Sequence, residues 1–144
     1  MDRVQIALTG LGGYGEVHVR AAEALGAEGL VEIAAFAEPS QEPPAVERLS
    51  ARGVHAYSSF EAMLDGEDKL DLVCIATPIP THYPMALAAF QRGLHVFLEK
   101  PPTVRIQDLR KLLAAEESAW VFCAVGFQDV ARSDVIALKH SLCE

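Results

Sequence analysis

The chain has 144 residues, of which 51% are apolar and 22% charged, and its formal net charge is −8. These values are typical of one globular domain and exclude a disordered chain, which needs fewer apolar residues and more charge. No apolar run of about eighteen residues and no cluster of Lys and Arg occurs, so neither membrane insertion nor nucleic-acid binding is predicted. The short apolar run near the N-terminus lacks a signal-peptide cleavage site, so we expect a cytoplasmic protein. The three cysteines form no C-x-x-C pair, and no metal site is expected.

Short apolar segments alternate with segments of helical periodicity along the whole chain. Strands are predicted over residues 4–8, 30–37, 54–57, 72–76, 94–98 and 120–127. Helices are predicted over residues 16–25, 46–52, 59–64, 81–91, 106–115 and 133–142. Because the strands are apolar almost throughout, they should be buried on both faces, as in a parallel sheet covered by helices. The sequence therefore predicts an α/β fold, a Rossmann-type doubly wound parallel sheet with strand order 3-2-1-4-5-6.

Three local features carry more detailed predictions. In the first helix the expected buried face consists of Val17, Ala21, Ala24 and Leu25. Ser58 or Ser59 is expected to cap the third helix. Trp120, the only tryptophan, is expected to begin the sixth strand and to pack in the core.

The first strand is followed by Gly10-Leu11-Gly12-Gly13-Tyr14-Gly15, which fits the G-x-G-x-x-G pattern. The pattern alone is weak, but here it lies between a strand and a helix, the context that dinucleotide binding requires. Gly10 would permit the tight turn, Gly12 the approach of a pyrophosphate, and Gly15 close packing of the helix. The helix N-terminus would then hold the phosphates, with Gly13 and Tyr14 beside them. The alternative is a glycine-rich turn that binds no ligand.

Glu38 ends the second strand, 23 residues after Gly15. A carboxylate at about this interval accepts hydrogen bonds from the adenosine ribose hydroxyls and repels a 2′-phosphate. No arginine adjoins Glu38, so NAD is favoured over NADP; the alternative is that Glu38 is a solvated loop charge. A methyltransferase is a second candidate for this pattern, but such enzymes usually carry an acidic residue before the glycines, where this chain has Leu8 and Thr9.

Two later segments make the sequence more specific. They are Cys74-Ile75-Ala76-Thr77-Pro78, followed by His82, and Gly93-Leu94-His95-Val96-Phe97-Leu98-Glu99-Lys100-Pro101. Together with the glycine loop and Val125-Gly126-Phe127-Gln128, they closely resemble the Gfo/Idh/MocA family of glucose–fructose oxidoreductase and inositol dehydrogenase. The resemblance covers nearly the whole chain, and Glu99-Lys100-Pro101 is its most diagnostic part.

The resemblance implies an oxidoreductase that transfers hydride between a nicotinamide cofactor and a sugar- or polyol-type alcohol. It implies that Thr77, Pro78 and His82 lie along the cofactor and that Gln128 lies near the cofactor amide. Glu99 and Lys100 are implied to lie beside the nicotinamide, as the candidate catalytic pair. Without the resemblance, Glu99-Lys100 would be interpreted as an exposed ion pair. His18 matches a family histidine but is equally typical of a helix surface.

The chain also departs from the family pattern. Ile79 stands where the family often has Asn, and Asp129-Val130 stand where it is often Arg-rich. The resemblance implies that family members continue into a C-terminal α/β domain with the substrate pocket, and we expect these 144 residues to lack that domain. Residues 1–128 are therefore expected to form the NAD(P)-binding domain, and residues 129–144 the start of a linker helix.

The length predicts an excised fragment, a truncated gene product, or a domain that borrows its partner from another chain. Two functional hypotheses are weighed separately. In the first, the chain is the cofactor half of a dehydrogenase, which binds NAD but is inactive alone. In the second, it is a stand-alone nucleotide-sensing or assembly module without catalysis. An apolar surface near the ligand edge of the sheet is expected to promote self-association, which predicts a homo-oligomer.

Overall fold

Six parallel strands lie side by side in a single sheet, in the order β3-β2-β1-β4-β5-β6. The computed structural model describes residues 3–143. The strands are β1 Val4–Thr9, β2 Val31–Ala37, β3 His55–Tyr57, β4 Leu72–Ile75, β5 His95–Leu98 and β6 Cys123–Val125. The predicted fold class and strand order are thus confirmed. Because β1 pairs with both β2 and β4, the strand order reverses at this strand and a crevice opens beyond its carboxyl end.

Helices cover both faces of the sheet. They are α1 Gly15–Ala27, α2 Pro44–Ser50, α3 Phe60–Gly66, α4 Ile79–Gln91, α5 Ile106–Ala119 and α6 Ser133–Cys143. Side chains alternate between the two faces of each strand. Ile6 and Leu8 pack with α1 and α2 in one core cluster, while Ala7 packs with α3, α4 and α5 in the other. The sheet is therefore buried on both sides, as its apolar strands predict.

The N-cap prediction for the third helix is confirmed, since the Ser59 hydroxyl accepts a hydrogen bond from the Ala62 amide at 3.1 Å. The predicted buried face of α1 is wrong. Its buried residues are Gly15, Val19 and Ala22, whereas Val17 and Leu25 are exposed. Gly15 packs against the backbone of Gly10, and this contact fixes the rotation of the helix.

The prediction for Trp120 is also wrong. Helix α5 continues to Ala119, and Trp120 ends it in the left-handed conformation with φ 57°. The indole is 91% exposed, so it does not pack in the core. Strand β6 is correspondingly shorter than predicted and begins only at Cys123.

The chain leaves the carboxyl end of β6 through a 3-10 turn, Gln128–Ala131, and then forms α6. Within the residues described, α6 has no buried side chain, and Leu138 and Leu142 are exposed. The side chain of Cys143 lies outside the described part. None of the helices in residues 3–143 has the length and apolar character needed to span a bilayer.

Candidate functional site

The glycine loop joins β1 to α1 through two close backbone contacts. A Cβ atom on Gly10 would lie 2.6 Å from the carbonyl oxygen of Ala76, and Gly10 has φ +77°. A Cβ atom on Gly15 would overlap the carbonyl oxygen of Gly10. By contrast, a Cβ atom on Gly12 would meet only Pro43 Cγ, at 3.8 Å. The folded chain therefore needs glycine at positions 10 and 15, whereas it leaves open space beside Gly12.

Backbone donors in this loop point to an anion site. The amide of Gly15 bonds to the carbonyl of Gly12 at 2.9 Å, and the next two amides of α1 form similar short-range bonds. Among the described residues, the amides of Gly12, Gly13 and Tyr14 have no acceptor. Helix α1 also lacks a side-chain cap at Tyr14. Free N–H groups at the positive end of a helix dipole are the chemistry that binds phosphate.

Glu38 closes the crevice on the β2 side. One carboxylate oxygen accepts the Leu11 amide at 2.8 Å, and the other accepts the Ser40 amide at 3.1 Å. The residue is 9% exposed, so Glu38 is a fixed wall of the crevice rather than a solvated loop charge. Beside it lies a cavity of about 430 Å³, within the size range of small-molecule sites. This cavity is lined by the ends of β1, β2 and β4 and by the starts of α3 and α4.

Arg48, the nearest arginine downstream of Glu38, is held by other partners. Its guanidinium donates to Glu16 at 2.9 Å and to Glu23 at 3.1 Å, both on α1. The hydrogen bond with Glu23 and that with Glu16 raise the pKa of Arg48. The positive charge of Arg48 is therefore already paired along the outer side of α1.

Glu99 and Lys100 follow β5 on the other side of the crevice. The Glu99 carboxylate is buried, with His18 Nε2 at 2.8 Å from one oxygen and the Lys100 amide at 3.0 Å from the other. Lys100 is exposed, and its Nζ lies 5.9 Å from the centroid of the Tyr14 ring. Glu99 and Lys100 are therefore not a simple surface ion pair, since the glutamate is bound from within the fold.

His82 is buried between the segments that follow β4 and β5. It is 1% exposed, and both ring nitrogens face backbone carbonyls at 2.8 Å, Nε2 that of Thr77 and Nδ1 that of Pro101. The ring therefore has no polar atom left for a ligand in the crevice. It ties the segment after β4 to the segment after β5, where the Lys100–Pro101 peptide is cis.

The other predicted site residues lie at the carboxyl ends of strands. Thr77 is half-buried and faces the cavity, with its hydroxyl 2.7 Å from that of Thr81. Pro78 is exposed and precedes α4. Gln128 is exposed at the start of the 3-10 turn after β6. The sheet thus brings the glycine loop, Glu38, Thr77 and Lys100 to one edge, as open α/β sheets do with ligand-binding residues.

Sequence reasoning missed or left open two residues of this site. The sequence does not distinguish a site role from a surface role for His18, which contacts Glu99. Gly126 was quoted only as part of a motif, yet a Cβ atom there would lie 2.9 Å from Glu99 Oε1. Besides its match to a family histidine, the sequence signal for His18 is its spacing, one helical turn after Gly15, which keeps it at the crevice end of α1.

Comparison with known proteins agrees with this geometry. The fold and the glycine loop define a Rossmann-type nucleotide-binding domain. A model of the Gfo/Idh/MocA oxidoreductase family, described as an NAD-binding Rossmann fold, matches residues 4–127, so the chain belongs to that family. The resemblance seen in the sequence is confirmed.

Individual relatives are similar over most of this chain. The rhizopine catabolism protein MocA of Rhizobium meliloti is 36% identical over 129 residues, 88% of this chain and 38% of the relative. Inositol 2-dehydrogenase of Streptomyces avermitilis is 34% identical over 138 residues, 95% of this chain and 39% of the relative. The WlbA dehydrogenase of Bordetella pertussis, solved with NADH and UDP-GlcNAcA, superimposes with a TM-score of 0.86 at 25% identity, covering 97% of this chain and 39% of that one. The chain thus spans about two fifths of the length of these relatives.

Proposed function

We propose that this chain binds NAD(H) in preference to NADP(H) and forms the cofactor half of a dehydrogenase. The observation that carries the preference is the fixed carboxylate of Glu38 at the cavity wall. A carboxylate held by two backbone amides cannot swing aside, so a 2′-phosphate would meet its negative charge at close range. Arg48, the nearest arginine downstream of Glu38 in the sequence, is already paired with Glu16 and Glu23.

The rest of the crevice fits a dinucleotide. The free amides of Gly12, Gly13 and Tyr14 suit the pyrophosphate, and the cavity beside Glu38 suits the adenosine half. The nicotinamide half would then extend past Thr77 and Pro78 toward Glu99 and Lys100. Gln128 stands at the far end of the same edge, within the region proposed for the cofactor amide.

The bound nicotinamide would accept or donate hydride, and the chain supplies the polar groups around it. In this proposal the exposed ammonium of Lys100 donates a hydrogen bond to the oxygen of the reacting alcohol. In the direction of carbonyl reduction, this ammonium would give its proton to the substrate oxygen as hydride reaches the carbon; in the direction of alcohol oxidation, the neutral amine would accept the proton from that oxygen and pass it to solvent. In this proposal Glu99 acts from within the fold, since one of its oxygens lies 2.8 Å from His18 Nε2 and the other accepts the Lys100 amide.

The substrate class rests on the relatives. Two of them are named for inositol and rhizopine metabolism, and a third was solved with a nucleotide sugar. We therefore infer a polyol- or sugar-type alcohol as the substrate of the whole protein. Since the chain spans about two fifths of these relatives, we expect it to bind cofactor without turning over such alcohols.

The test is calorimetric titration of the chain with NADH and with NADPH. We expect NADH to bind at least roughly tenfold more tightly, and Glu38→Gln to narrow this ratio because it removes the charge but keeps the acceptor. Glu42→Gln is the matched control, since it removes the same charge from an exposed position in the same loop. Equal or tighter binding of NADPH by the unaltered chain would contradict the preference, and binding of neither would contradict the cofactor role.

A further inference from the structure

The carboxylate of Glu99 lies at the junction of three segments that are distant in sequence. One oxygen contacts His18 Nε2 at 2.8 Å, and the other accepts the backbone amide of Lys100 at 3.0 Å. Because a carboxylate only accepts, His18 must carry its proton on Nε2 and donate it. A side chain on α1 is thereby connected, through Glu99, to the peptide from which Lys100 projects.

His18 itself is held firmly in place. Its ring packs edge-on between Tyr14 and Phe97, with centroid distances of 5.5 Å and 5.3 Å. Edge-to-face contacts of this kind orient an aromatic ring. Packing against these two rings therefore holds His18 in the orientation in which Nε2 meets Glu99.

Gly126, the residue that follows β6, lies against the carboxylate of Glu99. A Cβ atom at this position would lie 2.9 Å from Glu99 Oε1, the oxygen that faces His18, and 3.4 Å from Cδ. The absence of a side chain at Gly126 thus leaves the space in which Glu99 meets His18. Even a methyl group there would displace the carboxylate.

We propose that His18 is a positioning residue for Lys100, acting through Glu99 in the space left by Gly126. The ammonium of a lysine lies at the end of a flexible four-carbon chain. The position and direction of the Lys100 backbone therefore set the region that the ammonium can reach. The Lys100 amide is fixed by Glu99, and Glu99 is fixed by a residue on the helix that begins at the glycine loop. This inference rests on the proposed function, because the position of Lys100 affects binding only if the nicotinamide end of the cofactor lies beside it.

The arrangement also separates the two ends of the ligand. The adenosine end would contact Glu38 and the cavity beside it, which neither His18 nor Gly126 lines. Only the nicotinamide end would reach Lys100. Loss of the His18 contact should therefore weaken binding of the whole dinucleotide but not of its adenosine half.

The first experiment measures the affinities for NADH and for ADP-ribose, which lacks the nicotinamide. We expect His18→Leu to weaken NADH binding roughly tenfold, the scale of one hydrogen bond to a charged group, and to leave ADP-ribose within about twofold. His18→Gln, whose amide can donate in place of Nε2, should restore most of the NADH affinity. Gly126→Ala should act like His18→Leu although it removes no polar group.

The control is His55→Leu. His55 lies on β3, away from the crevice, and its ring is paired with Glu67. The substitution should change neither affinity. Equal weakening of NADH and ADP-ribose by His18→Leu would overturn the proposal, because it would show a general loss of the fold. Unchanged NADH affinity in His18→Leu and Gly126→Ala would overturn it as well.

A second measurement separates this inference from the proposed function. In ¹H–¹⁵N spectra of the ligand-free chain, we expect the Lys100 amide resonance to shift in His18→Leu and Gly126→Ala and to return toward its original position in His18→Gln. If the unaltered chain binds neither ligand, the proposed function fails. The Lys100 resonance still tests whether His18 positions the Lys100 backbone through Glu99. A Lys100 resonance that does not move in either variant would overturn the linkage itself.

Discussion

Gly15 faces the carbonyl oxygen of Gly10 so closely that a Cβ atom on Gly15 would overlap it. The contact joins the start of α1 to the end of β1 and sets the phase in which the helix meets the sheet. Gly12, three residues earlier, has open space on the side where its Cβ atom would lie. Glycine at position 15 is therefore required by the packing of the fold, whereas glycine at position 12 leaves space for the proposed ligand.

Alanine at these two positions should separate stability from binding. We expect Gly15→Ala to lower the free energy of unfolding by about 1–3 kcal/mol, as overpacking does. Gly12→Ala should change stability by no more than about 0.5 kcal/mol, yet weaken NADH binding by blocking the approach of the pyrophosphate. Urea unfolding and calorimetric titration measure the two effects. Gly12→Ala with unaltered NADH affinity would argue that the loop does not carry the phosphates.

His82 connects the segments that follow β4 and β5. Its removal should therefore lower the free energy of unfolding more than removal of an exposed histidine does. His82→Ala removes the ring whose two nitrogens lie 2.8 Å from the carbonyl oxygens of Thr77 and Pro101, and it creates a cavity. We expect a loss of about 2–4 kcal/mol in the free energy of unfolding. His140→Ala, on the exposed helix α6, is the control. A loss no larger than in the control would show that the ring does not bind the two segments together.

The sequence was sufficient to predict the sheet order and the glycine loop but not the rotation of α1. Apolar residues occur on two faces of this helix. The face that includes Val17 and Leu25 was predicted to be buried, but both residues are exposed. The actual phase follows from the contact of Gly15, which brings Val19 and Ala22 onto the sheet. Small residues face the sheet because helix and strand approach closely there, and hydrophobicity alone does not reveal this.

The candidate site was predictable to a similar extent. Glu38 could be placed because it lies at a regular interval after the glycines and at the end of a strand. The contact between His18 and Glu99 could not be predicted, because the two residues are 81 positions apart and meet only through the strand order. Local pattern therefore locates groups at the sheet edge, whereas their pairing depends on tertiary structure.

Trp120 occupies a backbone conformation that suits glycine, with φ 57°. We expect Trp120→Gly to be more stable than Trp120→Ala by about 1 kcal/mol, because only glycine avoids the left-handed strain. The comparison with alanine removes the indole in both variants and so isolates the backbone effect. Equal free energies of unfolding for the two variants would contradict a left-handed end of α5.

The two cysteines of the sheet should resist thiol reagents in the folded protein. Burial, with a smaller effect of the Glu99 charge, raises the pKa of Cys74 to about 12, and burial raises that of Cys123 to about 11. Since the thiolate is the reactive form, iodoacetamide at pH 8 should modify both only after unfolding. Peptide mapping resolves each site and uses Cys143, the third cysteine of the chain, as the reference. Rapid modification of native Cys74 would contradict its burial.

Glu16 makes the stability of the chain depend on pH in the acid range. The hydrogen bond from Arg20 and that from Arg48 lower the pKa of this carboxyl below its ordinary value of 4.5. A group whose pKa is lower in the folded state stabilises the fold above its unfolded pKa, and this contribution disappears as the pH falls through the folded pKa. We therefore expect the difference in stability between wild type and Glu16→Gln to be full above pH 4.5 and to diminish below it. Urea unfolding at a series of pH values measures this difference, with Glu28→Gln, an exposed position at the end of α1, as the control. A difference that stays constant from neutral to acid pH would show that the ion pairs of Glu16 do not form in solution.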